Sequence, residues 1–188
     1  MTWGFVEIVN IRTRKRRNLN MLEQQIYNCS IIEAEDKDIE RVVEIAINAW
    51  QPIFEGYKNE LGDIIYNCEY PDWKKEKARQ IYESFKPQSG ARVLLAEING
   101  VIAGFITYYV DKSNSSGIIC NNAVDPKFQG KGIAGNMYKY VIEEMKKHKL
   151  KYVKVTTGGD AAHLPARKAY EKAGFKKNIP EVNYYMEI

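Results

Sequence analysis

Two periods of hydrophobic and polar residues trade places along the chain, and each change of period marks an element. Residues 29–34 (CSIIEA) form a short β-branched run and predict a first strand. Glu35, Asp36 and Asp38 then put acidic and capping side chains where a helix would start. Ile39, Val42, Val43, Ala46, Ile47 and Trp50 recur at helical spacing, so an amphipathic helix is expected up to Pro52, which should end or redirect it. A second short helix is expected over 53–66, and a third, polar one opens at Pro71 and runs through about residue 85. Residues 91–98 (ARVLLAEI) and 101–110 (VIAGFITYYV) take strand period on either side of Asn99-Gly100, a hairpin pair because both residues tolerate positive φ. Apolar residues occupy both faces of the second run, which predicts a central strand covered on both sides. Residues 117–124 (GIICNNAV) predict a further strand, closed by Asp125-Pro126.

The helical period then returns, with Ile133, Met137, Val141 and Met145 in one stripe and Ala134, Tyr138 and Ile142 beside it. Residues 152–157 (YVKVTT) read as a strand, Gly158-Gly159-Asp160 as a turn, and 165–173 as a helix that Gly174 stops. Residues 182–188 (VNYYMEI) predict a closing strand. The order β-α-α-α-β-β-β-α-β-α-β predicts a single α/β domain over residues 21–188 with a sheet of mixed direction.

Length and composition narrow the class. The 188 residues are 45% hydrophobic and 28% charged, which suits one globular domain and excludes wholesale disorder. No apolar run approaches the roughly 20 residues that cross a bilayer, and the first 20 residues lack the core and cleavage site of a secretory signal. Cys29, Cys68 and Cys120 have neither paired nor zinc-ligand spacing, so no disulfide framework and no metal are expected, and the cytoplasm is the natural compartment. The net charge of +4 belongs to the leader: residues 1–20 carry five of the 28 basic residues and one of the 24 acidic ones, leaving the remainder balanced. A nucleic-acid footprint would spread over a folded face, so a nucleic-acid partner is not expected. The leader reads as a disordered appendage or as an upstream extension of a natural chain that starts at Met21.

The chemistry concentrates at residues 124–134 (VDPKFQGKGIA). A strand ends at a proline, and a Gln-Gly-Lys-Gly loop opens an amphipathic helix. Backbone N–H groups at such a start lack intrahelical partners, glycines let a ligand approach the main chain, and the dipole favours anions, a recipe for a pyrophosphate site. Lys127 and Lys131 add positive charge. The loop is not a Walker A sequence, because Gly132 follows Lys131 where a hydroxyl residue is required. Gly130, Gly132 and Gly135 formally match a dinucleotide fingerprint, but the acidic residue that should end the next strand is missing.

Gln129-Gly130-Lys131-Gly132-Ile133-Ala134 resembles the Q/R-x-x-G-x-G/A signature of the GNAT superfamily of acyl-CoA N-acyltransferases. Residues 162–175 (AHLPARKAYEKAGF) resemble that family's next block through Ala166, Tyr170, Glu171, Gly174 and Phe175, with His163 where the family usually has asparagine. The resemblance implies a mixed, mostly antiparallel sheet with a splayed parallel strand pair and helices on both faces. It implies acetyl-CoA as cosubstrate, its pantetheine paired with the backbone at Asn122, Ala123 and Val124 and its pyrophosphate on the amides of Gln129, Gly130, Lys131, Gly132, Ile133 and Ala134, with His163 and Ala166 on the same cofactor side. It further implies transfer of the acetyl group to a primary amine of a small molecule or peptide, with Tyr170 as the acid that protonates the departing thiolate.

Trp50, Phe54, Glu55 and Tyr57 fall where the family builds its acceptor side; Trp50 equally continues the stripe of the first helix as ordinary core. The general base is not legible: the strand over 117–124 holds no carboxylate, and Glu55, Glu97 or a water chain all stay open, with His163 read first as a cap or packing residue. Cys120 lies among apolar neighbours and reads as a free buried cysteine rather than a nucleophile. The rival to an enzyme is a non-catalytic acyl-CoA-binding or regulatory domain on the same fold. Assembly as a homodimer stays open.

Overall fold

A computed structural model describes residues 29–188; the basic leader, and with it the expected start at Met21, lies outside the described residues. Five strands follow one another across the sheet in chain order: β1 (Cys29–Glu33), β2 (Arg92–Ile98), β3 (Val101–Asp111), β4 (Ser116–Val124) and β5 (Tyr152–Val155). The first three pairings are antiparallel and the last, β4 with β5, is parallel. The Asn99-Gly100 hairpin forms as the sequence predicts, both residues at positive φ (51° and 77°).

Four helices cover the two faces: α1 (Ile39–Glu69) and α2 (Trp73–Phe85) on one, α3 (Ile133–Lys147) and α4 (Leu164–Ala173) on the other. Val42, Ile45 and Ala46 of α1 and Ile81 of α2 pack on Leu95, Phe105 and Ala123. Ile133, Met137, Val141 and Met145 of α3 and Tyr170 of α4 pack on Leu94, Ile106, Tyr108 and Ile119. Adjacent residues of β2 and β3 thus feed opposite cores, as a doubly covered strand must, and each large side chain so buried contributes roughly 1.5–3 kcal/mol. Among the described residues no helix is long and apolar enough to cross a membrane.

Three local expectations need correction. Pro52 does not end the first helix, and no separate helix begins at 53: α1 runs on through Pro52 to a kink at Gly62 (φ 72°, ψ 171°), beyond which a second helical segment continues to Glu69. Proline removes one N–H, but Pro52 is exposed, so water can satisfy the carbonyl it displaces while Trp50 packs on the core before it and Phe54 stacks on Trp73 after it. Residues 182–188 form no strand. Their β-prone sequence finds no ladder partner among the described residues and runs beside the last turns of α1, where Tyr185 and Met186 line one cavity with Ile64, Ile65 and Cys68. Cys120 is exposed rather than buried.

Candidate active site

The site is built where the parallel pair comes apart. β4 and β5 pair from Ser116↔Tyr152 to Ile119↔Val155, and there the pairing stops although β4 continues to Val124. Just past that point β4 carries a bulge: Ile106 faces Asn122 while Tyr108 faces Ile119, so two residues, Cys120 and Asn121, stand opposite Thr107. The buried Thr107 hydroxyl donates to the Asn121 carbonyl (3.0 Å) and fixes the bulge. The β5-facing edge of β4 is therefore unpaired over Asn122, Ala123 and Val124, the segment expected to receive pantetheine; a main-chain edge of this kind accepts an extended ligand as an added strand.

β4 is followed by Asp125, which is 3% exposed. Its carboxylate accepts from the Lys127 N–H (2.9 Å) and pairs with Arg41 of α1, which also donates to the Ile102 carbonyl (3.1 Å). Burial raises the Asp125 carboxyl, but these donors together outweigh it, so its pKa lies below the usual carboxylate value. The Gln129 amide turns back and donates to the Val124 carbonyl (3.2 Å). Gly130 and Gly132 take φ of 77° and 79°, the left-handed region that residues with a Cβ reach only with strain. The first backbone bond of α3 runs from Asn136 N–H to Gly132 O (3.1 Å), so the amides of Ile133, Ala134 and Gly135 precede the ladder and have no helical acceptor. Ile133, 2% exposed, anchors this turn in the core, while Lys131 lies over the Phe128 ring (5.1 Å). The residues present fit a diphosphate: three unused amides, a helix start and no side chain at either glycine.

Across the notch stands Tyr170, 7% exposed, on α4. The helix ends in a Schellman turn, Gly174 N–H to Glu171 O (3.0 Å) and Phe175 N–H to Tyr170 O (3.1 Å), which brings the Phe175 ring edge-on to Tyr170 at 5.9 Å. The Asn122 amide donates to the Tyr170 hydroxyl (3.2 Å), and Tyr138 donates to Asn122 Oδ1 (2.7 Å). Burial pushes the Tyr170 phenol up in pKa, against a smaller pull from those two partners; Tyr138 is pushed up further, by burial and by Tyr170. Ala166, half-buried, packs on the same core. Tyr138 is a site residue the sequence reading placed only beside a core stripe.

The acceptor-side residues do not form one group. Trp50 lies under the Lys77 ammonium of α2 (4.3 Å to the ring centroid). Phe54 stacks on Trp73 (4.2 Å) and meets Tyr57 (5.7 Å) and Tyr70 (5.4 Å) edge-on. Tyr57 stacks on Tyr70 (5.4 Å), whose phenol is raised to about 12 by burial and by its bond to Tyr185. Glu55 is exposed and among the described residues accepts from Gln51 (2.7 Å), outside this aromatic cluster. Trp73 and Tyr70 lacked any sequence signal, since they reach the cluster only through the turn between α1 and α2.

His163 sits at the start of α4 with its ring 6.5 Å from that of Tyr57. Its backbone N–H donates to Asp160 Oδ1 (3.1 Å), and its Nδ1 meets Asp160 Oδ2 at 2.5 Å. Burial raises the Asp160 carboxyl, but the His163 contacts outweigh it and hold the group below its ordinary value. Cys120, by contrast, has no cation beside it, and desolvation pushes its thiol up.

The sequence model of the Acetyltransferase (GNAT) family matches residues 58–175, more than half of the chain. The chain belongs to this GNAT family. Solved structures share its fold. PaiA N-acetyltransferase of Thermoplasma acidophilum in complex with coenzyme A superposes with a TM-score of 0.62 at 19% identity, covering 79% of this chain and 90% of that one. An acetyltransferase of Clostridium acetobutylicum solved with acetyl-CoA gives 0.56 at 22% identity, over 84% and 96%. The aminoglycoside N-acetyltransferase AAC(6')-Iy in complex with CoA gives 0.58 at 14% identity, over 86% and 97%. No curated protein matches the sequence. The GNAT fold expected from the two sequence blocks, a mixed sheet with one parallel pair and helices on both faces, is the fold of this chain.

Proposed function

We propose that the protein transfers an acetyl group from acetyl-CoA to a primary amine of a small molecule or peptide, with Tyr170 as general acid. One observation carries the reading: the unpaired edge of β4 leads from Asn122, which holds the Tyr170 hydroxyl, straight to the Gly130 and Gly132 turns and the amides of Ile133, Ala134 and Gly135 that have no helical acceptor. In this reading acetyl-CoA lies along that edge and supplies a thioester; its pantetheine pairs with Asn122, Ala123 and Val124, and its diphosphate accepts from the loop of residues 129–134. Tyr170 keeps its proton at neutral pH because burial disfavours the phenolate, and it gives that proton to the departing sulfur. The Tyr57–Phe54–Tyr70–Trp73 cluster forms the wall from which an amine approaches, since aromatic faces hold ammonium and alkyl groups alike. PaiA and AAC(6')-Iy are N-acetyltransferases by name, which favours nitrogen as the acceptor atom.

Calorimetry with acetyl-CoA, joined to a screen of primary amines read by release of free thiol, tests this. Binding together with amine-dependent thiol release is expected. Absence of binding overturns the whole reading, and binding without transfer leaves a non-catalytic acyl-CoA-binding domain.

A further inference from the structure

Acylation of an amine needs a group that removes a proton from nitrogen, and β4 offers no carboxylate beside the notch. We propose that His163 is this general base and that Asp160 is the positioning residue that fixes its ring; the assignment rests on the acetyl-transfer reading above.

Asp160 holds His163 twice, by Oδ1 on the backbone N–H (3.1 Å) and by Oδ2 on Nδ1 (2.5 Å). The first bond only closes the turn that leads into α4, whose N-cap is His163 itself. The second orients the imidazole: with Nδ1–H donating to the carboxylate, Nε2 carries the lone pair, and among the described residues it has no hydrogen-bond partner. The surrounding loop is shaped around this contact. Arg167 donates to the carbonyls of Gly158 and Asp160 (2.7 Å each), and a Cβ at Gly158 would overlap both Asp160 Oδ2 and His163 Nδ1. Glycine at 158 is thus required by the carboxylate–imidazole pair rather than by a turn.

The pair also stands in the right place. β5 ends at Val155, and the chain passes through Thr156 and Thr157 into Gly158, so the loop hangs from the splayed strand itself. Tyr170 follows His163 by two helical turns on the same face, a rise of about 10.5 Å, and Cα–Cβ bonds in a helix tilt toward its N-terminus, which directs the phenol back toward the imidazole. On the other side the Tyr57 ring brings the aromatic wall to 6.5 Å from the imidazole. The charged and titratable groups facing His163 are Asp160 and Arg167 from its own loop and helix and Tyr57 from α1, with Tyr185 of the C-terminal segment behind Tyr57.

In the step this arrangement supports, the acceptor ammonium gives one proton to His163 Nε2, directly or through one water. The freed lone pair forms the C–N bond to the acetyl carbonyl carbon, and the C–S bond breaks with its electron pair leaving on sulfur. Tyr170 protonates that sulfur, and the second proton lost from nitrogen returns to the tyrosine oxygen. The imidazolium then releases its proton to solvent, so one amide, one thiol and one proton are formed.

The test measures kcat and kcat/KM from about pH 5.5 to 9.5, by thiol release with tyramine, cadaverine and glycylglycine, for the wild type, H163Q and D160N, with acetyl-CoA affinity by calorimetry on each. Wild-type kcat/KM is expected to climb an acidic limb to a plateau. H163Q should lose about a hundredfold or more on that plateau, and the limb with it, so that its rate keeps rising toward the pKa of the amine itself. D160N should move the limb to lower pH, because the imidazolium loses its counter-charge, and it keeps an oxygen for the His163 N–H should H163Q fail to fold. Acetyl-CoA affinity should stay within about threefold throughout. An H163Q variant that keeps kcat and the limb, or one that loses acetyl-CoA affinity with kcat intact, overturns the assignment while leaving acetyl transfer in place. A D160N limb at its wild-type position removes Asp160 from it. A wild type that binds acetyl-CoA but acetylates none of the three amines overturns the transfer reading and the base together.

Discussion

Asn122 on β4 hydrogen-bonds the hydroxyl of Tyr170 on α4 across 3.2 Å, three residues beyond the last residue of β4 that pairs with β5. The bond holds a phenol over the stretch of β4 that β5 has stopped pairing with. Tyr138 donates to the other atom of the same amide, so Asn122 cannot turn away without losing both.

Removal of that single oxygen is therefore a clean test of the acid. In Tyr170→Phe the ring keeps its contacts with Tyr138 (centroids 4.9 Å apart) and Phe175 (5.9 Å). Turnover should fall at least about tenfold, or roughly 1.4 kcal/mol of barrier, with acetyl-CoA affinity unchanged. Steady-state kinetics and calorimetry on the same protein decide it; unchanged turnover removes the acid role.

The anion site makes a separate prediction at Gly132. A Cβ there meets no atom within 4 Å, so Gly132→Ala costs only backbone strain at φ 79°, about 1–2 kcal/mol, which the loop relieves by moving its amides. Acetyl-CoA affinity should drop about tenfold or more. Gly100→Ala, at φ 77° and equally open space in the distant β2–β3 hairpin, should cost similar stability and leave affinity unchanged. Equal affinity in both variants would detach the loop from the diphosphate.

The sequence made the sheet legible wherever local chemistry decides structure. Asn99-Gly100 can only be a tight hairpin, the Ile133–Met145 stripe can only be an amphipathic helix, and Gly130 and Gly132 mark the left-handed turns before it. It misled where the outcome depends on distant packing. Pro52 carries a helix-breaking signal that the packing of Trp50 and Phe54 on either side overrides, and residues 182–188 carry a strand signal with no ladder partner among the described residues. Within the candidate site, the place of Tyr170 on its helix was legible because the block over 162–175 contains it. Asp160 was hidden: as part of Gly-Gly-Asp it reads as a turn, and only the folded loop shows its carboxylate on His163.

The Arg41–Asp125 pair ties α1 to the loop that follows β4, and its loss should be felt as stability. Asp125→Asn removes the charge from a bond made in a nearly closed site, an expected cost of about 1.5–3 kcal/mol at neutral pH. Because the folded-state pKa of Asp125 is depressed, the stability it contributes is fully present above its ordinary value of 3.8 and is lost as pH falls through the lowered value. Urea unfolding at neutral pH and near pH 3 checks both statements, since the gap between wild type and variant should close on acidification. A gap independent of pH would contradict the pair's charge as its source.

Lys77 behaves in the opposite sense. Its ammonium lies over the Trp50 ring, and its polar partners are the amide oxygens of Gln80 (2.9 Å) and Asn121 (3.1 Å) rather than carboxylates. Desolvation therefore dominates and lowers its pKa to about 8, with Glu76 opposing weakly. A lysine lowered on folding favours the neutral form, so its charge costs stability below about pH 8, and that cost is relieved as pH rises from 8 toward the ordinary value of 10.5. Lys77→Met keeps the aliphatic packing on Trp50 and carries no charge. It should be more stable than the wild type at pH 7, by on the order of 2 kcal/mol, with the advantage shrinking steadily between pH 8 and 10.5. Chemical denaturation of both proteins across that range measures the difference directly. A Met variant that is less stable at pH 7, or a difference that does not change with pH, would show that the amide oxygens and the indole face compensate the buried charge in full.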